Sequence, residues 1–493
     1  MNQLENKPLL FVVGVLLLFG SILTIASKSL FLPIVIFVGI FGISAFFYAP
    51  REVFFLVLFI RVQLDVFWWI PVSIGPLNLL AVFTGGITVL GTILAVMRFS
   101  GDIEKHPCIQ YFLGLCFLLI FSATRAYNTT IMIDEFFRMY SPILIIFLVT
   151  SLFNKRGDWK RVFFLFFIAS LLPIFLSTYH LLTGQMNQIE LDGVNRLYGG
   201  YHNLRNHALM MFIFSACGVY FLFQSQKRSE KIFFGLYCSM TLTYLYLTHT
   251  RATLIIFGVF VLIFLSLTQR RSWMLGLVFL FSIAVITNPS LLQRFSELSR
   301  LFLFFGEQSP QEIDFSSLGS GRFGLWSNSM EAYLDHSVPE VLLGLGFGYH
   351  WILTRGAYNG FVLVQGGFVD THNDMLRVLY QIGPFGLLLF LLMIYQIVKT
   401  SQWIRKNAPQ KQMRDAGAIL IALCIAIVIN NILSNGINSR TTFGWCFWAL
   451  GGIAFIAKRE VLNDMKQQAK VSKESIKAKT TSISNTMYTL ELV

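Results

Sequence analysis

Thr371-His372-Asn373-Asp374 stands directly before the apolar run MLRVLYQIGPFGLLLFL, a polar tetrad at the mouth of a hydrophobic helix. A Thr followed three residues later by an acid is a capping-box pattern. The Thr side chain accepts from the N3 amide and the acid reaches back, a role usual for Glu or Gln that Asp374 fills as a shorter variant. On that pattern His372 is the first helical residue. The positive helix end and its unpaired amides disfavour imidazolium there, so the ring is expected to be neutral and able to take a proton, as a general base must. The same place also suits an ordinary first-turn polar residue. Asp370, His372 and Asp374 alternate as metal ligands on an extended segment would, but a helix starting at His372 separates them, and no metal site is expected.

Arginines form the second set. Arg251 in LYLTHTRATLIIFGV sits where two apolar runs meet with almost no loop between them, so its position is rigidly fixed. Arg196 in VNRLYGGYHNLRNHA precedes Gly199-Gly200 and a new helix, a setting in which backbone amides and a guanidinium can converge on one phosphate. Arg205 in the same segment is a competing choice. A planar five-donor fork binds phosphate or carboxylate bidentately, which lysine does not imitate. Snorkelling or internal pairing is the plainer account of any single arginine. For Arg138, with Asp134 and Glu135 at helical spacing, pairing is enough. Gly344-Leu345-Gly346-Phe347-Gly348 lacks the Lys-Ser/Thr of a phosphate-binding loop and reads as a turn or a close backbone approach.

The elements that must hold these residues are set by the solvent. Of 493 residues 55% are hydrophobic and 13% charged, with mean hydropathy +0.65, more apolar surface than one aqueous core would bury. Apolar runs fall near 9–26, 30–48, 53–70, 77–97, 108–123, 131–153, 162–182, 208–223, 232–247, 253–267, 274–286, 378–398, 416–433 and 443–457. The expectation is an all-α polytopic membrane protein of about 14 spans. The net charge of +13 lies in short connectors, which fits the positive-inside rule better than nucleic-acid binding.

Connectors 154–161, 224–231, 269–271 and 399–414 fall on one side, taken as cytoplasmic together with both termini. On that count every lysine but Lys28 is cytoplasmic, whereas about half of the arginines are external or within spans. The resulting division is an N-terminal bundle, 1–286, with a short external loop, 183–206, that carries Glu190, Asp192, Arg196, His202 and Arg205. A large, partly helical external cap, 287–377, follows, then C-terminal helices, 378–457, and a disordered cytoplasmic tail, 458–493. Within the cap, LLQRFSELSRLFLFF is expected to lie along the interface. GRFGLWSNSMEAYLDH spaces Leu325, Met330, Tyr333 and Leu334 as a helix face. The six cysteines read as small hydrophobes.

In SGRFGLW, LGLGFG and THNDMLRVLYQIGPFGLLLF, in that order, the last third resembles the O-antigen ligase and O-antigen polymerase superfamily. THTRATLIIF is similar to its Ser/Thr-x-x-Arg-small turn, with Ala252 where glycine is common, and RLYGGYHN to an earlier Arg-x-x-Gly segment. The resemblance covers roughly 196–390; the first seven spans match in hydropathy only. It implies a metal-independent, cofactor-free, inverting transfer of an undecaprenyl-pyrophosphate-linked glycan at the periplasmic face of the bacterial inner membrane. The acceptor would be a sugar hydroxyl on another glycan or on a lipid A core. Membrane lipids and a chain-length regulator are further partners. By carry-over Arg196 and Arg251 bind the pyrophosphate, with Arg322 and Arg205 as weaker members. His372 activates the acceptor, and Thr371, Asn373 and Asp374 support the helix start. A flippase or transporter without chemistry is the alternative; it predicts paired half-repeats, broken helices and midplane ionisable groups.

Overall fold

A computed structural model describes residues 48–67, 73–74, 77–185, 196–201, 203–269, 322–357 and 371–490. Apolar runs bounded by polar or glycine-containing connectors become helices, because in lipid a helix satisfies its backbone internally. In chain order these are α1 (Pro50–Leu64), α2 (Leu79–Glu104), α3 (Ile109–Thr124), α4 (Thr129–Glu135), α5 (Leu144–Leu152), α6 (Asp158–Leu182), α7 (Leu204–Gln224), α8 (Arg228–Leu247) and α9 (Arg251–Leu267). They continue with α10 (Arg322–Leu334), α11 (Val338–Leu343), α12 (Tyr349–Ala357), α13 (Asp374–Asn407), α14 (Lys411–Leu433) and α15 (Thr441–Leu490). A small antiparallel ribbon, β1 (Ser73–Ile74) with β2 (Leu77–Asn78), pairs Ser73 with Asn78.

Among the described residues four helices, α6, α7, α13 and α14, are long and apolar enough to cross a membrane, with α3 and α9 as shorter apolar helices. The runs expected at 9–26 and 274–286, almost all of 30–48, and the interfacial stretch near 291–305 lie outside the described residues. Helix α13 is the hub. It packs against α14, α3 and α15, while α9 lies on α14 and α5 on α15.

The run expected as one span at 131–153 is interrupted. Helix α4 passes into a π turn (Phe136–Tyr140), then a 3-10 turn (Ser141–Ile143), and only then α5. Pro142 supplies no N–H, and Ser141 Oγ bonds back to the Phe137 carbonyl at 2.6 Å. Helix α13 is broken too. Gly383 has φ +70 and ψ 178 ahead of Pro384, which disfavours a helical residue before it. The α11–α12 turn approaches there: Gly344, Gly346 and Gly348 all have positive φ, and Leu345 N donates to the Tyr380 carbonyl at 2.8 Å.

The basic connectors gather at one end of the bundle. Gln224 reaches Asp415 at 3.1 Å, Arg405 the Leu267 carbonyl at 3.1 Å, Arg156 the Asp464 carboxylate at 3.4 Å, and Arg459 the Thr150 and Phe153 carbonyls at 2.9 Å. Beyond residue 458 the chain differs from the disordered extension expected of it: α15 runs on to Leu490. That stretch has no Gly or Pro, is rich in helix-favouring Lys, Gln and Ala, and places Lys470 and Glu474 one turn apart at 4.0 Å.

A Cβ on Gly383 would run into the Leu342 carbonyl, at a φ that side chains rarely adopt. Gly383→Ala is expected to cost more than about 1 kcal/mol, lowering the thermal midpoint of the detergent-solubilised protein. Gly258→Ala, in α9 with open space around it, should leave that midpoint unchanged or raise it.

Candidate active site

The tetrad before α13 folds differently from a Thr-initiated capping box. Asn373, not Thr371, is the N-cap: its Oδ1 accepts from Met375 N at 3.0 Å and Leu376 N at 3.1 Å. The helix starts at Asp374, so His372 precedes the cap instead of opening the first turn. An Asn side chain reaches two first-turn amides at once, and it takes the role. Thr371 turns its hydroxyl onto the Asn373 carbonyl at 3.1 Å, and His372 adopts φ +51, which swings its ring off the helix axis. Asp374 does not reach back. Its carboxylate accepts from Gly436 N at 2.7 Å, Asn438 N at 3.0 Å and the Ser439 hydroxyl, all in the loop between α14 and α15.

Arg205, in the first turn of α7, meets His372: Nη1 lies 3.0 Å from Nδ1. A guanidinium only donates, so Nδ1 must accept, which makes the imidazole neutral with its proton on Nε2. The neutral ring is thus fixed by Arg205 and not by a helix end. Asn203 caps α7 by accepting from Arg205 N at 2.9 Å.

Arg196 begins a short described segment tied to the same end. Leu197 N donates to the Leu247 carbonyl at 3.0 Å, and His207 Nδ1 donates to the Leu197 carbonyl at 2.9 Å. A further bond of 3.0 Å joins His207 Nε2 to Ser177 Oγ. Gly199, at φ +53, lies where a side chain would strike both groups. Arg196 is 8% exposed. Leu247 closes α8 and Arg251 opens α9 after the turn Thr248-His249-Thr250, in which His249 has φ +51.

Arg322 opens α10 and donates from Nη1 to the Leu433 carbonyl at 2.8 Å. Burial, and then the positive charge of Arg251, push its pKa below the ordinary guanidinium value, so these two arginines lie within electrostatic reach. One turn further on, Trp326 Nε1 donates to the Thr371 carbonyl at 2.7 Å. The helix face expected around α10 is formed by Leu325 and Tyr333, both buried, while Leu334 is exposed. Contacts therefore join 197 to 247, 326 to 371, and 372 to Arg205. Glu190, Asp192, His202 and Asp370 lie outside the described residues, among which no group of three His, Cys, Asp or Glu is placed to hold a metal ion.

A second set was not foreseen. Arg377, 1% exposed, donates from Nη1 to Ser439 Oγ at 2.8 Å and from Nη2 to the fully buried Glu135 carboxylate. Gln381 Nε2 donates to Glu135 at 2.7 Å and lies 3.1 Å from His350 Nδ1, while Tyr140 OH donates to Gln381 Oε1 at 3.2 Å. Arg138 does pair with Asp134, at 3.0 Å, but Glu135 turns to α13 instead. An arginine three residues after Asp374 in an apolar run was a signal; its partner, 242 residues away, gave none.

A predominantly helical chain with helices long enough to cross a membrane sets the donor-only guanidinium of Arg205 against the imidazole of His372. Residues 236–391 match the family model described as O-Antigen ligase, about a third of the chain. The match takes in Arg251, Arg322 and the tetrad 371–374; Arg196 and Arg205 precede it. No curated protein matches the chain.

Asn373→Ala removes an acceptor of two amides and is expected to destabilise by about 1 kcal/mol. Asn373→Asp, which keeps that acceptor, should lose little. Thermal midpoints of the two variants in detergent measure the difference.

Proposed function

We propose that the protein transfers a glycan from undecaprenyl pyrophosphate to a sugar hydroxyl, with Arg196, Arg251, Arg322 and Arg205 binding the pyrophosphate and His372 taking the hydroxyl proton. The observation that carries this reading is the 3.0 Å contact between Arg205 and His372, a donor-only cation against a lone pair, in a segment also tied to Arg322 through Trp326. The charge of Arg251 adds to burial in lowering the pKa of Arg322, and this supports the reading that both arginines serve one anion.

The chemistry follows from that contact. While Arg205 donates to Nδ1, His372 has no basic lone pair to offer, because its other nitrogen carries the proton. A pyrophosphate is a stronger acceptor for a guanidinium than an imidazole is, so donor binding draws Arg205 away and exposes Nδ1. The acceptor oxygen then bonds to the anomeric carbon from the face opposite the leaving group, and its proton passes to Nδ1. The bond from that carbon to the phosphate oxygen breaks with its electron pair on the pyrophosphate, where the arginines stabilise the growing charge. Such an order inverts the anomeric centre and calls on no metal or nucleotide.

We favour a second lipid-linked repeat as the acceptor, which makes the protein a polymerase, on the number of spans expected and on an external loop, 287–377, long enough to hold two glycans. A lipid A core acceptor would make it a ligase, as the description of the matched family reads. The breaks in the α4–α5 run and in α13, with the buried Arg377–Glu135 pair between them, also favour a second reading as a lipid-linked oligosaccharide flippase. Purified protein supplied with lipid-linked repeats decides: new glycan bonds support the enzyme, and unchanged lipid moved across a liposome supports the flippase.

His372→Ala and Arg251→Ala are each expected to lower product by at least about a hundredfold at unchanged membrane levels. The check is complementation of a deletion strain, read as a glycan ladder on a gel beside an immunoblot of the membranes. A wild-type ladder from either variant removes that residue from the site. The deletion itself should leave single repeats for a polymerase and unligated polymer for a ligase.

A further inference from the structure

Among the described residues, a linked set of buried charged and polar groups leads to the turn that carries His372. Glu135 at the end of α4 holds Arg377 on α13, and Arg377 holds Ser439 on the α14–α15 loop. Ser439 in turn donates to Asp374, whose other oxygen accepts from Gly436 N and Asn438 N. Asp374 is two residues from His372, and the helix end that bears Leu433, the acceptor of Arg322, leads into this same loop. A carboxylate and a guanidinium withdrawn from water in this way are costly to bury, and a pair of apolar side chains would fill the same volume at less cost. Their chief gain is direction: a fork with Nη1 and Nη2 on two different elements fixes the angle between those elements.

We infer that Glu135 and Arg377 are positioning residues, which set the His372 turn and the Arg322 anchor in register by clamping α4, α13 and the α14–α15 loop together. The clamp rests on the function proposed above, and deepens it. Neither Glu135 nor the loop 436–439 falls within residues 236–391, so the matched domain is completed at its catalytic turn by residues from both sides of it. The interruption of the 131–153 run also acquires a role, since the π turn begins directly after Glu135 and the chain need not continue along the axis that delivers this carboxylate to α13.

The test uses the full chain in detergent, with lipid-linked repeat units extracted from the deletion strain as donor. Glu135→Gln and Arg377→Met alone each leave a buried charge without its partner and are expected to destabilise, which by itself says nothing of position. The double variant Glu135→Gln/Arg377→Met removes both charges. It is expected to melt with the wild type, yet to show kcat about tenfold lower or less at an unchanged donor KM. Wild-type kcat in a stable double variant would make the pair structural only and overturn the inference. Unchanged kcat with a raised donor KM would place Arg377 on the pyrophosphate and overturn it equally. A double variant that melts early is replaced by Ser439→Ala, which unlinks Arg377 from Asp374 without touching the ion pair; the same two readings then apply. Failure of the underlying function takes another form, in which His372→Ala turns over like the wild type.

Discussion

Everything at the arginine-bearing end of the bundle depends on how the chain enters α13. Asn373 closes the helix, Asp374 turns inward to the α14–α15 loop, and His372 is left outside the helix with φ +51. A histidine in the left-handed region is uncommon and costs about 1–3 kcal/mol, so its neighbours must over-determine it. Here they do. The residue before it is held by Trp326, the residue after it caps two amides, and the next is anchored by three donors.

That entry matters because the groups around it repel one another. The charge of Arg251 reaches Arg322, which is largely withdrawn from water and donates to the Leu433 carbonyl. Like charges brought together in a low dielectric repel, and the pyrophosphate proposed for this site would offset that repulsion. A rigid turn at Thr248-His249-Thr250 and a helix start at Arg322 keep the two from relaxing apart, as the same cations on long loops would.

Much of this was legible in the sequence. Hydropathy located α6, α7, α13 and α14, the described helices long and apolar enough to cross a membrane. The glycines at 344, 346 and 348 behave as the turn they were expected to be. The capping box misled because it weighs one residue at a time: Thr371 is a good cap in isolation, but Asn373 two residues later is as good or better and lets Asp374 satisfy buried amides of a distant loop. Glu135 was assigned to its neighbours for a related reason. Helical spacing names the partners within reach along one helix, and a break in that helix changes which way each side chain faces. The tail was misjudged on polarity alone, where local helix propensity prevailed.

The Arg205 contact bears on how a single imidazole could be kept from acting too early. A base left open beside a labile glycosyl donor could activate water as readily as a sugar. With Nδ1 engaged by a guanidinium, the ring is neutral yet unavailable, and on the proposed mechanism the donor pyrophosphate that frees it is the group the reaction needs. Arg205 sits in the first turn of α7, a helix whose walls are buried against α8 and α14, so the backbone gives it little freedom. The motion required is confined to one long side chain, at a cost in rotamer entropy of the order of 2 kcal/mol at most, within what a charge-assisted contact to phosphate returns. Order of binding would then follow from the donor-only character of arginine, without any movement of the helices.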